Sequence, residues 1–165
     1  MEVAKSQNMK PGSFTQLYVQ LVFAPKFREC LLQPNICEIL YPYLGKLLVN
    51  KSHKPIIING MPNHIHIYLG LNPKQAISDL IADLKRSSSL FLNDNKFLPG
   101  HFQWQDGYGA FSYSRSQIND VYKYIENQKE HHRRKSFKEE YFALLRKHGI
   151  EFKEEYVLEF YEVEG

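Results

Sequence analysis

Two short stretches hold side chains whose types and spacing suit chemistry: His64-Ile65-His66, and further along Tyr124-Ile125-Glu126-Asn127-Gln128. Successive side chains of a β-strand point to opposite faces. A strand through 64–67 therefore sends His64 and His66 to one face and Ile65 and Ile67 into the core. Two imidazoles on one sheet surface form a ready metal-binding pair, or else they are ordinary surface or half-buried histidines. On a helix, residues four apart share a face, so the Tyr124 phenol lies one turn from the Gln128 carboxamide. That pair reads either as a nucleophile beside a third ligand or as a packed aromatic beside a solvated amide. Tyr122 pairs in the same way with Glu126, which gives a more acidic alternative. A phenol with a pKa of about 10 is a poor nucleophile at neutral pH and needs a metal, a base or a favourable local field. The sequence carries no phosphate loop of the GxxxxGK[ST] type.

The elements that position these residues follow from hydrophobic periodicity. After a polar start (1–13) that reads as a flexible N-terminus, Phe14 to Phe23 alternates as a first strand stopped by Pro25. Ile36, Ile39, Leu40, Tyr43, Leu44, Leu47 and Leu48 recur at helical spacing between Gln33 and Asn50, with Pro42 an awkward interior residue. Pro55 to Asn59 and His64 to Leu71 read as two strands joined by a Gly60-Met61-Pro62-Asn63 turn. Ser78-Asp79 is placed to cap a second helix over Leu80–Leu92, and a glycine- and aromatic-rich stretch from Pro99 to Tyr113 reads as loop, strand and loop. A third helix runs from Ser116 to about His132, and another from Ser136 to about His148. The order strand, helix, strand, strand, helix, strand, helix predicts an α+β, ferredoxin-like (RRM-like) antiparallel sheet with helices packed on one face. The other face would be the exposed site. From Glu151 onward, six glutamates interleave with Phe152, Tyr156, Leu158 and Phe160, which suggests a packing or dimerisation element.

Composition bounds the function. The 165 residues (19.5 kDa), 43% hydrophobic and 14% aromatic, suit one ordinary domain rather than a disordered or fibrous chain. Lys plus Arg number 21 against 18 for Asp plus Glu, a net charge of +3 that permits a nucleic-acid partner without requiring one. Cys30 and Cys37 lack companions at zinc spacing, and no apolar run approaches the roughly 20 residues of a membrane span. A cytoplasmic protein is expected.

Met61-Pro62-Asn63-His64-Ile65-His66-Ile67 resembles the HUH motif (His, bulky hydrophobic, His), and Tyr124 to Gln128 resembles the tyrosine helix of single-tyrosine HUH transposases. These are the TnpA enzymes of the insertion-sequence 200/605 family. Leu17 to Phe23 and Gly107-Tyr108-Gly109-Ala110-Phe111 are also similar, so the resemblance spans 14–135 and marks that stretch as the transposase domain, with 136–165 a helical and acidic extension. The resemblance implies a metal-dependent single-stranded DNA endonuclease and strand transferase. His64, His66 and Gln128 would be the metal ligands, and Tyr124 the nucleophile that forms a 5′-phosphotyrosine and frees a 3′-hydroxyl. It also implies hairpin-forming single-stranded DNA as partner, and a homodimer in which the tyrosine helix of one subunit completes the histidine pair of the other. Asn63 stands where many relatives have Asp. Mg²⁺ or Mn²⁺ suits two imidazoles and a carboxamide, and with no carboxylate in the set the ion should bind mainly together with DNA.

Candidate phosphate contacts are Lys26, Arg28, Lys85, Arg86, Arg133 and Arg134, together with Arg115, Lys123 and Lys135. Phe102, Trp104, Tyr108 and Phe111 are candidate stacking surfaces for unpaired bases. Two alternatives share this sequence. One is a non-catalytic single-stranded nucleic-acid-binding module with structural histidines; the other is a domesticated HUH endonuclease acting on host repeats.

Overall fold

The structure, a computed structural model, describes residues 12–163, so most of the expected flexible stretch 1–13 lies outside the described residues. Four strands form one antiparallel sheet: β1 (Tyr18–Phe23), β2 (Lys54–Met61), β3 (His64–Gly70) and β4 (Gly109–Tyr113). Their order is β2-β3-β1-β4, so the central strands β3 and β1 are consecutive neither in chain nor in hairpin. Helices α1 (Pro34–Asn50) and α2 (Ile77–Asp94) make the two crossovers. The topology is the expected ferredoxin-like α+β arrangement. Pairing of β1 starts at Tyr18 opposite Gly70 and Tyr113, later than the sequence pattern suggests; Phe14 is 88% exposed.

One sheet face buries Val19, Leu21 and Phe23 of β1 and Ile65, Ile67 and Leu69 of β3 against α1 and α2. Helix α1 presents Ile36, Leu40, Leu44 and Leu48 at four-residue spacing. It runs unbroken through Pro42, because that residue lies on the solvent side, where water can take the carbonyl that proline leaves without an N–H partner. Helix α2 begins at Ala76 without a side-chain cap, so Ser78 and Asp79 sit inside its first turn rather than before it. Ser88 lies on its apolar line: the hydroxyl donates to the Leu84 carbonyl at 2.6 Å and accepts from Trp104 Nε1 at 2.9 Å, so the buried polar group is satisfied.

The opposite face differs from expectation. It is not left open but is covered by α3 (Ile118–Glu126), α4 (Gln128–His131), α5 (Phe137–Lys147) and the tail. Val22 and Phe111 pack against Phe137, Tyr141, Phe142, Leu144 and Leu145 of α5 and against Leu158 of the tail, with Phe152 and Phe160 alongside. The acidic tail is thus a packing element. Tyr68 packs against Val121 and Ile125 of α3. A sheet strand that is apolar on its outward side cannot stay solvated, and Val22, Phe111 and Tyr68 supply that second apolar surface. Among the described residues no helix is long and apolar enough to cross a membrane.

The hairpin between β2 and β3 turns on Pro62 and Asn63 alone, with Met61 opposite His64 and Gly60 opposite Ile65. A Cβ at Gly60 would lie 2.3 Å from the His64 carbonyl oxygen. Gly60→Ala is therefore expected to cost about 1–3 kcal/mol in urea unfolding, because the backbone that carries the first histidine must move.

Candidate metal centre and tyrosine site

The histidine pair lies on the second sheet face, as the alternation predicts, but under a roof. His64, His66 and Gln128 are fully buried and Glu140 is 2% exposed. His64 reaches this position from the first residue of β3, and its ring stacks on Phe137 with centroids 4.0 Å apart. Phe137 opens α5, whose start is fixed by reciprocal bonds between Ser136 and Glu139: the Glu139 N–H donates to Ser136 Oγ and the Ser136 N–H to Glu139 Oε2. That start places Glu140 one turn into the helix, facing the histidines.

The predicted third helix is divided. It ends at Glu126 and resumes at Gln128, because Asn59 of β2 donates its amide to the carbonyls of Ile125 (2.9 Å) and Glu126 (3.2 Å). Those carbonyls would otherwise continue the helical ladder. Tyr124 and Gln128 consequently belong to two segments, yet both reach Glu140. The Tyr124 hydroxyl donates to Glu140 Oε2, and Gln128 Nε2 donates to the same oxygen at 3.0 Å. All of these groups belong to one chain, and the Tyr124 and His66 rings are 6.1 Å apart. The exposed Tyr122 is not among them.

Glu140 was not singled out by the sequence, where the expected ligand set held no carboxylate. Its Oε1 lies 3.1 Å from His64 Nε2, 3.0 Å from His66 Nε2 and 3.3 Å from His132 Nε2. The hydrogen-bond roles around it are constrained. Asn63 donates its amide to the Tyr161 carbonyl at 2.7 Å, so its Oδ1 accepts from His64 Nδ1, also at 2.7 Å. The Lys135 carbonyl, which only accepts, takes the proton of His132 Nδ1 at 2.9 Å. A neutral His64 therefore presents a bare Nε2 lone pair, which meets Gln128 Oε1 at 3.0 Å as well as Glu140 Oε1, and His132 Nε2 lies 3.0 Å from the same Gln128 oxygen. Three acceptors, from His64, Gln128 and Glu140, converge where a donor or a cation belongs. Burial pushes the His64 pKa down to about 4, against the pull of Glu140, so its ring is neutral at pH 7. Burial alone would raise the Glu140 carboxyl, but His66, His132 and His64 hold it well below the usual carboxylate range. Lone pairs without enough protons, around an ionised carboxylate, are the donor set of a divalent cation. The buried trio His64, His66 and Glu140 could hold one, and Gln128 offers a further oxygen. His66 is steadied from behind by Gln20, whose Nε2 lies 2.8 Å from its Nδ1 and whose Oε1 accepts from the Tyr113 hydroxyl. The Tyr124 phenol is pushed above its ordinary range by burial and by the charge of Glu140, so the resting site holds a neutral phenol.

The candidate DNA contacts divide. Lys26, Lys85 and Arg86 come together in one groove of about 400 Å³ beside Trp104, while Arg133 and Arg134 follow α4 on the surface. Arg28 lies over the Tyr161 ring, and Arg86 and Arg133 pair with Asp83 and Glu130. Lys85 is a structural cation: its ammonium donates to the carbonyls of Gln105 and Gly107, each at 2.7 Å, and burial lowers its pKa to about 8. Lys85→Ala should cost about 2 kcal/mol in denaturant unfolding as two charge-assisted bonds are lost, whereas the exposed Lys26→Ala should leave stability unchanged. Of the candidate stacking aromatics, Phe102, Trp104 and Phe111 are core residues, and Tyr108 is 38% exposed.

This fold, with a histidine pair on β3 and a tyrosine on the helix that follows β4, defines a DNA-transposase architecture. Residues 13–128 match the family model described as "Transposase IS200 like", and the chain belongs to that family. It is similar to the ISDra2 transposase TnpA of Deinococcus radiodurans, with 27% identity over 122 residues, covering 71% of this chain and 87% of the relative. A crystal structure of a Deinococcus radiodurans R1 transposase aligns with TM-score 0.56 and 24% identity, covering 73% of this chain and 97% of that one. A REP-associated tyrosine transposase bound to a REP hairpin aligns with TM-score 0.54 and 12% identity over 76% of this chain and 74% of that chain. Glu140 lies beyond the segment that matches the family model.

Proposed function

We propose that this transposase cleaves and rejoins single-stranded DNA through a 5′-phosphotyrosine on Tyr124. The observation that carries this reading is the hydrogen bond from the Tyr124 hydroxyl to Glu140, within a cluster that includes both histidines. In the forward step Tyr124 Oη bonds to phosphorus and the P–O3′ bond breaks. The phenolic proton is released to solvent as the bond to phosphorus forms. Glu140, held ionised by the histidines, accepts the phenol's hydrogen bond and orients it, and the departing 3′-oxygen gains a proton from solvent to become a free hydroxyl. In the reverse direction a 3′-hydroxyl attacks the phosphotyrosine and restores the phenol. His64, His66, Glu140 and Gln128 would hold Mg²⁺ or Mn²⁺, which when bound polarises the phosphate and orients it for in-line attack. Gln20, Asn63 and Tyr161 orient the two imidazoles.

The catalytic unit in this reading extends past 135 into α5, because Glu140 belongs to it. Unpaired DNA, with hairpin-forming ends, is the substrate class. The non-catalytic binding module is less well supported, because three of the four aromatics it would use for stacking are core residues. The homodimer belongs to the proposal as an assembly state, although one chain supplies every group named above; sedimentation with and without DNA tests it. The function itself is tested by incubating the protein with labelled single-stranded DNA from the ends of its own locus and Mg²⁺ or Mn²⁺. A labelled protein band that survives a denaturing gel and requires the metal is expected. Metal-independent binding with no such band would reject the reading.

A further inference from the structure

A pocket of about 260 Å³ opens between α3 and α5, and both Tyr124 and Glu140 line it. Its apolar wall comes from Val121 and Leu144, which are buried, with the half-buried ring of Tyr113. Gln117 and Asp120 supply polar groups two turns and one turn before Tyr124. At the rim stand Lys135 and Lys147, both exposed, and among the described residues neither ammonium makes a hydrogen bond or an ion pair. The Glu140 charge is turned inward, since its oxygens accept from Tyr124 and Gln128 and face four imidazoles, among them His131, which also lines the pocket. The rim is therefore net cationic, with two lysines against Asp120.

An aromatic and aliphatic wall, polar groups at base-edge reach, and two unpaired cations beside a phenol that attacks phosphorus are together the chemistry of a nucleotide site. The volume falls below the roughly 300–1,000 Å³ of larger ligand sites and suits one unpaired nucleotide rather than a duplex. We propose that this pocket holds the first nucleotide on the 3′ side of the cut, the one whose 5′-phosphate becomes joined to Tyr124. Lys135 and Lys147 flank its phosphodiester linkages, and Tyr113, Val121 and Leu144 pack on its base. The inference rests on the tyrosyl-nuclease reading above. It gives that reading a device for retaining the attached strand: the freed 3′-hydroxyl end leaves while the covalently held nucleotide stays seated for rejoining. Lys135, Leu144 and Lys147 lie outside the family-model match, so the subsite is built in part from this chain's own extension.

The test has two arms. In the first, methyl-labelled protein is titrated with each of the four 2′-deoxynucleoside 5′-monophosphates, with inorganic phosphate as control. Methyl resonances of Val121, Ala143 and Leu144 are expected to shift with at least one nucleotide and not with phosphate. Lys135→Ala with Lys147→Ala should weaken that binding about tenfold. Ala143→Phe, which fills the pocket from α5, should abolish it while near-ultraviolet circular dichroism shows the fold retained. In the second arm, adduct formation is measured on single-stranded DNA with an abasic site placed immediately 3′ of the mapped cut. The abasic site should slow wild type about tenfold and have no added effect on Ala143→Phe. A wild-type protein that forms the adduct but gives no nucleotide-specific shifts, or is indifferent to the abasic site, overturns the pocket assignment alone; unchanged binding in the double lysine variant does the same if Ala143→Phe misfolds. Absence of any adduct on any of the DNAs overturns the nuclease reading and the pocket with it.

Discussion

Tyr124→Phe is expected to fold and to bind single-stranded DNA within about threefold of wild type, yet to lose the denaturation-resistant DNA adduct by on the order of 10⁴-fold or more. The change deletes one oxygen from a half-buried ring that packs beside Val121 and Ile125. It removes the hydrogen bond donated to Glu140, which still accepts from Gln128 and faces the histidines. Packing is thus preserved while the atom that would bond to phosphorus is gone. Tyr122→Phe is the matched control. Its phenol is 37% exposed on α3 and makes no contact with Glu140, so adduct formation should be unchanged. Denaturing gels of both variants with labelled DNA and Mn²⁺ check the pair. An adduct surviving in Tyr124→Phe would place the nucleophile elsewhere.

Glu140 carries the second large effect. Glu140→Gln keeps the side-chain shape but replaces the charge that four imidazoles face, and should weaken Mn²⁺ binding on the order of 100-fold, measured by electron paramagnetic resonance of the free ion. Glu140→Ala should do the same and also destabilise the metal-free protein. The Tyr124 hydroxyl and the Gln128 amide then lose their common acceptor inside a buried site, at about 1–3 kcal/mol for each unsatisfied group. The two variants separate metal affinity from stability: metal loss with an unchanged urea midpoint in Glu140→Gln is the expected signature. Wild-type-like Mn²⁺ binding in both would remove Glu140 from the ligand set and leave it a structural carboxylate.

Much of this architecture was legible from local pattern. Alternation along 64–69 put His64 and His66 opposite Ile65 and Ile67, and the strand and helix order led to the ferredoxin-like topology. What escaped the pattern depends on partners distant in sequence. The interruption at Asn127 is imposed by Asn59 on a neighbouring strand, and no property of 116–132 announces it. The covered second face was missed because on the outward side of their strands Val22 and Tyr68 share a face with the polar Gln20 and His66, and their meaning appears only when α3, α5 and the tail arrive. Glu140 did leave a trace. Ser136 and Glu139 form a capping box, and Phe137, Tyr141 and Leu144 then define the buried face of α5. Glu140 falls on that same face, three residues after Phe137 and four before Leu144. A carboxylate in an apolar stripe is a buried charge that requires partners, and here the partners are the histidines.

The bond from Asn63 to the Tyr161 carbonyl spans 98 positions of chain. During synthesis the HUH hairpin, the crossover helices and Tyr124 are all made before Tyr161 exists, and domains fold progressively from the N-terminal side. Until the tail docks, Asn63 has nothing to fix its amide, and His64 has no fixed acceptor to settle its tautomer. Assembly of the centre is therefore timed: a nascent chain carries Tyr124 well before the tail fixes Asn63 and His64, and under the function proposed above the capacity to cut DNA would arrive as a late event in folding.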